Sequence, residues 1–175
     1  FENTGAATII VEEDTTIVQA NKEFELLSGY TKKEIEGQMS WMDFVASESE
    51  LATMKSYHDR RRIDPESVPQ RYEYRFLNRH GQVRNISLTI DMIPGTKKSV
   101  ASLLDITELK NTQNALRERE KKYRLLTENT ADIIWSVDAD LNFTFISSSV
   151  ERILGYSRDE ASRKSFEDLF SPETY

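Results

Sequence analysis

The chain has no cysteine among its 175 residues. That excludes a disulfide frame, a thiolate metal site and a cysteine nucleophile. Long apolar runs are missing too. The longest hold about five residues, against the roughly 20 that a membrane-spanning helix needs. Glycine is scarce, six in all and scattered, so no glycine-rich loop can cradle a phosphate. Positive charge is in deficit, with 23 Lys and Arg against 30 Asp and Glu. A net charge of −7 argues against nucleic acid or an anionic membrane surface as a partner. No signal peptide is visible, and a chain that opens on Phe1 rather than Met reads as a piece of a longer protein.

What is present is enough apolar material for a packed core, 38% hydrophobic with 10% aromatic. It is arranged around one long polar stretch. After Asp105 and Thr107, both able to cap a helix, come about twenty residues without Gly or Pro, rich in Glu, Lys, Arg, Gln, Leu and Ala. Leu109, Leu116 and Tyr123 fall seven apart, with Thr112 and Leu126 filling a 3-4 alternation and Arg119 interrupting it. That is a thin seam for a partner helix.

The blocks on either side resemble each other. At an offset of 126, Glu2-Asn-Thr meets Glu128-Asn-Thr, Val11 meets Val137, Asp14 meets Asp140 and Glu25 meets Glu151. Gly29-Tyr30 meets Gly155-Tyr156 and Glu34 meets Glu160. One deletion later, Ser40 meets Ser165 and Asp43 meets Asp168.

In the first block, Ala7–Val11 and Thr16–Ala20 read as a hairpin. Asn21 is a good N-cap for a helix that Gly29 ends. Thr31 to Glu34 is a capping box for a short helix closed by Gly37, and Ser157 to Glu160 repeats it. Ser40–Val45 reads as a helical turn. Ser47 to Glu50 is a further capping box, opening a helix to about Arg61. Gln70–Leu77, Val83–Ile93 and Ser99–Leu104 alternate as strands. Such alternation predicts an antiparallel sheet covered on one face, an α+β fold.

Order and punctuation together resemble a PAS domain, a sensory module. The residues that carry the resemblance are Asn21-x-x-Phe24-x-x-x-x-Gly29-Tyr30-Thr31-x-x-Glu34-x-x-Gly37, the turn Arg79-His-Gly81-Gln-Val83-Arg84, and Asp105-Ile106-Thr107. The resemblance implies a five-stranded antiparallel sheet with short helices on one face over residues 1–107. A long linker helix over 108–126 and the first half of a second PAS domain over 127–175 follow. It implies a ligand site between sheet and helices. It also implies a relay through Asp105, Ile106 and Thr107 into the linker helix.

Tyr72, Tyr74, Phe76, Ile86, Leu88, Ile90, Ala101 and Leu103 are expected to face the helices from the strands. Trp41, Phe44, Met54 and Tyr57 are expected to face them from the other side. This lining carries no charge, and tyrosine hydroxyls and Trp41 are its polar handles. It reads first as plain core and second as a cavity for a small apolar ligand. Haem is disfavoured, because His58 reads as a charge at a helix end. A covalent flavin adduct is excluded for want of a cysteine near Ser40. The run Asp59 to Asp64 reads as a solvated helix end.

No catalytic or metal-binding constellation is present. His58 precedes Asp-Arg-Arg-Arg and His80 precedes Gly-Gln, so neither matches the His-Glu-x-x-x-Pro setting of a phosphoacceptor. The resemblance therefore implies a non-enzymatic, cytoplasmic sensory and dimerisation module. A sensor histidine kinase is the first effector expected downstream, in a homodimer paired along the linker helix. A diguanylate cyclase, a transcription regulator or a ligand-free scaffold are the alternatives.

Overall fold

Two strand-forming runs joined by a polar turn open the fold. β1 (Ala7–Val11) pairs antiparallel with β2 (Ile17–Ala20). Thr16, expected in the strand, is spent on the turn: its N–H donates to the Asp14 carboxylate and its carbonyl accepts from the Glu12 N–H. The computed structural model describes residues 2, 5–128 and 132–169, with the side chains at 126–128, 166 and 167 outside the described set. The chain divides into two compact units, Phe1–Asn111 and Thr112–Tyr175.

In the first unit, Asn21 joins strand to helix. Its buried Oδ1 accepts from the Phe24 N–H, capping α1 (Lys22–Ser28), and also from the Thr8 N–H on β1. α1 ends at Gly29, with φ +78°. Thr31 and Glu34 form the capping box of α2 (Lys32–Ile35), and Ser40 caps a 3₁₀ turn, Trp41–Phe44.

α3 (Glu48–Arg61) starts without the expected capping box. Glu50 pairs instead with Arg75 at 3.2 Å, and the Ser47 hydroxyl meets that of Ser49. A charged partner across the fold outcompetes the local backbone donor. β3 (Arg71–Leu77), β4 (Val83–Met92) and β5 (Ser99–Asp105) complete a sheet of order β2-β1-β5-β4-β3.

Register sets what faces inward. Tyr72 lies opposite Leu88, Leu88 opposite Leu103, and Leu103 opposite Ala7. Ile90, Ala101 and Ile9 make the next row. These rows pack on Phe24, Ile35, Phe44 and Met54 from the helices. Phe44 stacks on Phe76 with centroids 5.3 Å apart, and Phe24 meets both rings edge-on.

α4 (Thr107–Glu128) leaves β5 directly. In the second unit, β6 (Trp135–Val137) and β7 (Phe143–Ile146) form a hairpin, followed by α5 (Ser149–Leu154), α6 (Arg158–Ser162) and α7 (Phe166–Leu169). The sequence repeat reappears in the backbone. Leu141 takes a positive φ where Thr15 does, and Gly155 where Gly29 does. The small cluster Ile146, Val150, Ala161 and Leu169 occupies the positions of Ala20, Phe24, Ile35 and Phe44. Ile133 and Phe143 pack partly against it, while Trp135 and Phe145 stay exposed.

Gly29 and Gly37 make a controlled comparison. Both have positive φ, but a Cβ on Gly37 meets nothing within 4 Å. A Cβ on Gly29 meets Arg79 Cβ at 3.3 Å and His80 Nε2 at 3.4 Å. Gly37→Ala should cost about 1–2 kcal/mol, the backbone term alone. Gly29→Ala should cost more in urea unfolding, because the β3–β4 turn must also move.

Candidate functional site

A cavity of about 40 Å³ lies between the sheet and the helices. Of the twelve residues expected to line it, ten do. Trp41, Phe44 and Met54 come from the helical side and Tyr72, Tyr74 and Phe76 from β3; Leu88, Ile90, Ala101 and Leu103 come from β4 and β5. Ile86 is fully buried in the same core cluster but is not part of the lining. Tyr57 sits outside it, its ring 5.4 Å from that of Tyr72. There it lines a surface groove with Ser49, Glu50 and Thr53, and that groove shares Met54, Tyr72 and Tyr74 with the cavity.

The expectation of an uncharged lining is overturned. Ile9, Val11, Phe24 and Ser99 join the wall, and so do His58 and Arg61. Met54, His58 and Arg61 are spaced by four and three residues along α3, which puts them on one face. That spacing was visible in the sequence, but the charges in it disguised an inward face.

The Asp59–Asp64 run is a solvated helix end only in part: Asp59, Arg60, Ile63 and Asp64 are exposed, but Arg61 and Arg62 turn inward. Arg61 is 3% exposed, its Nη2 donating to the Pro69 carbonyl at 2.6 Å. Arg62 donates to the carbonyls of His58 and Glu12 at 2.7 and 2.9 Å. The turn at Pro65–Ser67 folds the chain back so that the Ser67 carbonyl meets Arg60 and the Pro69 carbonyl meets Arg61.

His58 is likewise not an exposed charge. Its Nε2–H donates to the Glu13 carbonyl at 3.0 Å, and its ring lies 5.6 Å from that of Trp41. Burial pushes its pKa below the ordinary 6.5, against the pull of the Glu13 carbonyl. Two phenols are affected in the other direction. Burial raises Tyr72 to about 12, held back by the Arg61 guanidinium, and raises Tyr74 further.

The sign for His58 is definite. The unfolded histidine binds a proton more readily than the folded one, so stability falls as pH drops below about 6.5. Thermal unfolding between pH 5 and 8 should show that acid loss, and His58→Gln should flatten it.

The relay segment is tied to β4. The Ile106 N–H donates to the Asn85 carbonyl, and the Asn85 N–H donates to the Thr107 hydroxyl at 2.8 Å. Asp105 accepts from the Thr107 N–H and pairs with Arg84 at 3.4 Å. Thr107, expected to cap α4, thus bonds across the sheet. On α4, Leu109, Leu116 and Tyr123 are 57%, 58% and 56% exposed. Thr112 is exposed beside them, and the side chain of Leu126 lies outside the described residues.

A family model described as a PAS domain matches residues 5–108. The chain belongs to the PAS domain family. A second model, described as a PAS fold, matches residues 121–175. No curated protein matches the chain.

Solved PAS structures share the fold. The PAS domain of the RpfR quorum-sensing receptor of Cronobacter turicensis, in complex with C12:0, is 18% identical with a TM-score of 0.52. The match covers 60% of this chain and 97% of that one. The Rhodobacter sphaeroides LOV protein is 16% identical with a TM-score of 0.54, over 66% and 68% of the two chains. A domain of the sensory box sensor histidine kinase/response regulator of Geobacter sulfurreducens is 19% identical with a TM-score of 0.50, over 60% and 87%. Among the described residues of this PAS protein, no helix is long and apolar enough to cross a membrane, and no cluster of ligating side chains could hold a metal ion.

Proposed function

We propose that this PAS protein is a cytoplasmic sensory and dimerisation module that relays a change in its core cavity to an attached effector, a sensor histidine kinase first. One observation carries this reading. β5 lines the cavity with Ser99, Ala101 and Leu103 and, two residues later, becomes the hinge that starts α4. A displacement of β5 therefore acts on Asp105, Ile106 and Thr107 without an intervening loop. The module itself has no catalytic role. Residues 108–126 would be the linker and residues 127–175 the first half of a second PAS domain. The exposed Leu109, Leu116 and Tyr123 stripe would pair two copies.

Haem and a covalent flavin have no place in the proposal. His58 Nε2 is engaged by the Glu13 carbonyl, and the chain has no cysteine to form an adduct. A ligand-free scaffold is the second reading, favoured by the small size of the cavity. Ala101→Val separates the two by filling it. In hydrogen exchange, the sensory reading expects altered protection at the amides of Ile106–Lys110. Unchanged protection there, with the fold intact, would leave only the scaffold.

A further inference from the structure

We propose that the core cavity takes a short aliphatic monocarboxylate, its carboxylate on Arg61 and its chain among the apolar strand residues. The proposal rests on the reading of that cavity as the sensory site.

Arg61 is the reason for the charge. Its guanidinium is cationic at any physiological pH and carries five N–H donors. Arg61 as a whole is almost wholly buried and belongs to the lining of the cavity. The partners found for it are the neutral Pro69 carbonyl and the Tyr72 hydroxyl. Among the described residues no carboxylate pairs with it, whereas Lys and Arg on the surface pair with Glu and Asp repeatedly. A cation withdrawn from water without a counter-charge is costly, and a carboxylate answers a guanidinium with two parallel hydrogen bonds.

An independent atom points the same way. Trp41 Nε1 is buried without a hydrogen-bond partner, and Trp41 lines the same cavity. Indole N–H is a donor only. The unmet need of the wall is therefore for acceptors, and the strand side of it is aliphatic at Ile9, Leu88 and Leu103, with Phe24, Phe44 and Phe76 adding aromatic surface.

Size sets the chain length. A volume of about 40 Å³ corresponds to roughly three water-sized groups at 10–15 Å³ each. That is the size of acetate, the smallest of the series. Butyrate or hexanoate would need Met54, an adaptable side chain in the wall shared with the outer groove, to swing aside.

The test uses the whole chain at fixed ionic strength. Acetate, propionate, butyrate and hexanoate are compared with propionamide, butyramide and 1-butanol, and with chloride and phosphate. Calorimetry and thermal unfolding read binding, and methyl NMR of Leu88 and Ala101 reads its place. The expected result is saturable carboxylate binding that moves both methyls, at least tenfold tighter than the neutral isostere. Arg61→Met, which keeps the volume, should remove that preference. Equal affinity for acid and amide overturns the proposal while leaving the sensory cavity standing. Binding of chloride and phosphate alone, without movement of the methyls, overturns it as well. Failure of the acids to bind overturns the proposal, whereas the sensory reading is decided separately by the hydrogen exchange of Ala101→Val. Should Arg61→Met not fold, the acid-against-amide comparison in the unsubstituted chain still decides.

Discussion

Phe76→Ala is expected to cost about 3–5 kcal/mol, at the upper end of that range. Phe76 is fully buried and sits where sheet and helices meet. It stacks on Phe44 at 5.3 Å and meets Phe24 and Tyr74 edge-on at 6.0 and 6.4 Å. Truncation removes all three ring contacts and leaves a void beside an existing cavity. The surrounding strands are pinned by register on β4, so collapse is restricted. Domains of this size are stable by about 5–15 kcal/mol in total, so a third or more of the margin would go. At about 4–8 °C per kcal/mol, Tm should fall by at least 12 °C.

Leu88→Ala, at about 2–5 kcal/mol, should cost somewhat less, since Leu88 has aliphatic neighbours that can close in. Leu88→Lys should prevent folding, because an unpaired ammonium would enter the apolar row Tyr72, Leu88, Leu103. Near-native stability of Leu88→Lys in urea unfolding would mean that the inward face is assigned to the wrong side of the sheet.

The elements that were legible in the sequence are those decided by neighbours in the chain. Asn21, Thr31 and Ser40 act as caps because the backbone donors they satisfy lie two or three residues away. β3 alternates because one face of the sheet is wet. The repeat at an offset of 126 carried over even to the positive φ of Thr15 and Leu141. What escaped was decided at long range. Glu50 left its local cap for Arg75, 25 residues on. Arg61 and His58 read as solvent residues because of their charge, yet Pro69 and Glu13 supply the carbonyls that let them be buried. The volume of the cavity depends on rotamers packed across three elements, which no local pattern records.

The largest functional effect is expected from the length of α4. Adding one residue after Asn114 turns the helix face that follows by about 100°. Leu109 would then no longer share a stripe with Leu116 and Tyr123. Adding seven restores the stripe with a drift of about 20°. The three stripe residues are more than half exposed, so they have apolar surface to bury against a second copy. Arg119 lies on the same seam, its guanidinium 5.7 Å from the Tyr123 ring. It takes the place where a leucine would tighten the pair. A seam weakened in this way suits a switch, since two pairings separated by a few kcal/mol can be exchanged by a modest signal. With a histidine kinase attached after residue 175, the one-residue insertion should uncouple output from the sensory core. The seven-residue insertion should largely preserve it. The fraction of dimer at low micromolar concentration, measured by sedimentation, should follow the same order. Equal output and equal dimerisation from both insertions would mean that α4 is a tether, with signals passing through the PAS surfaces instead.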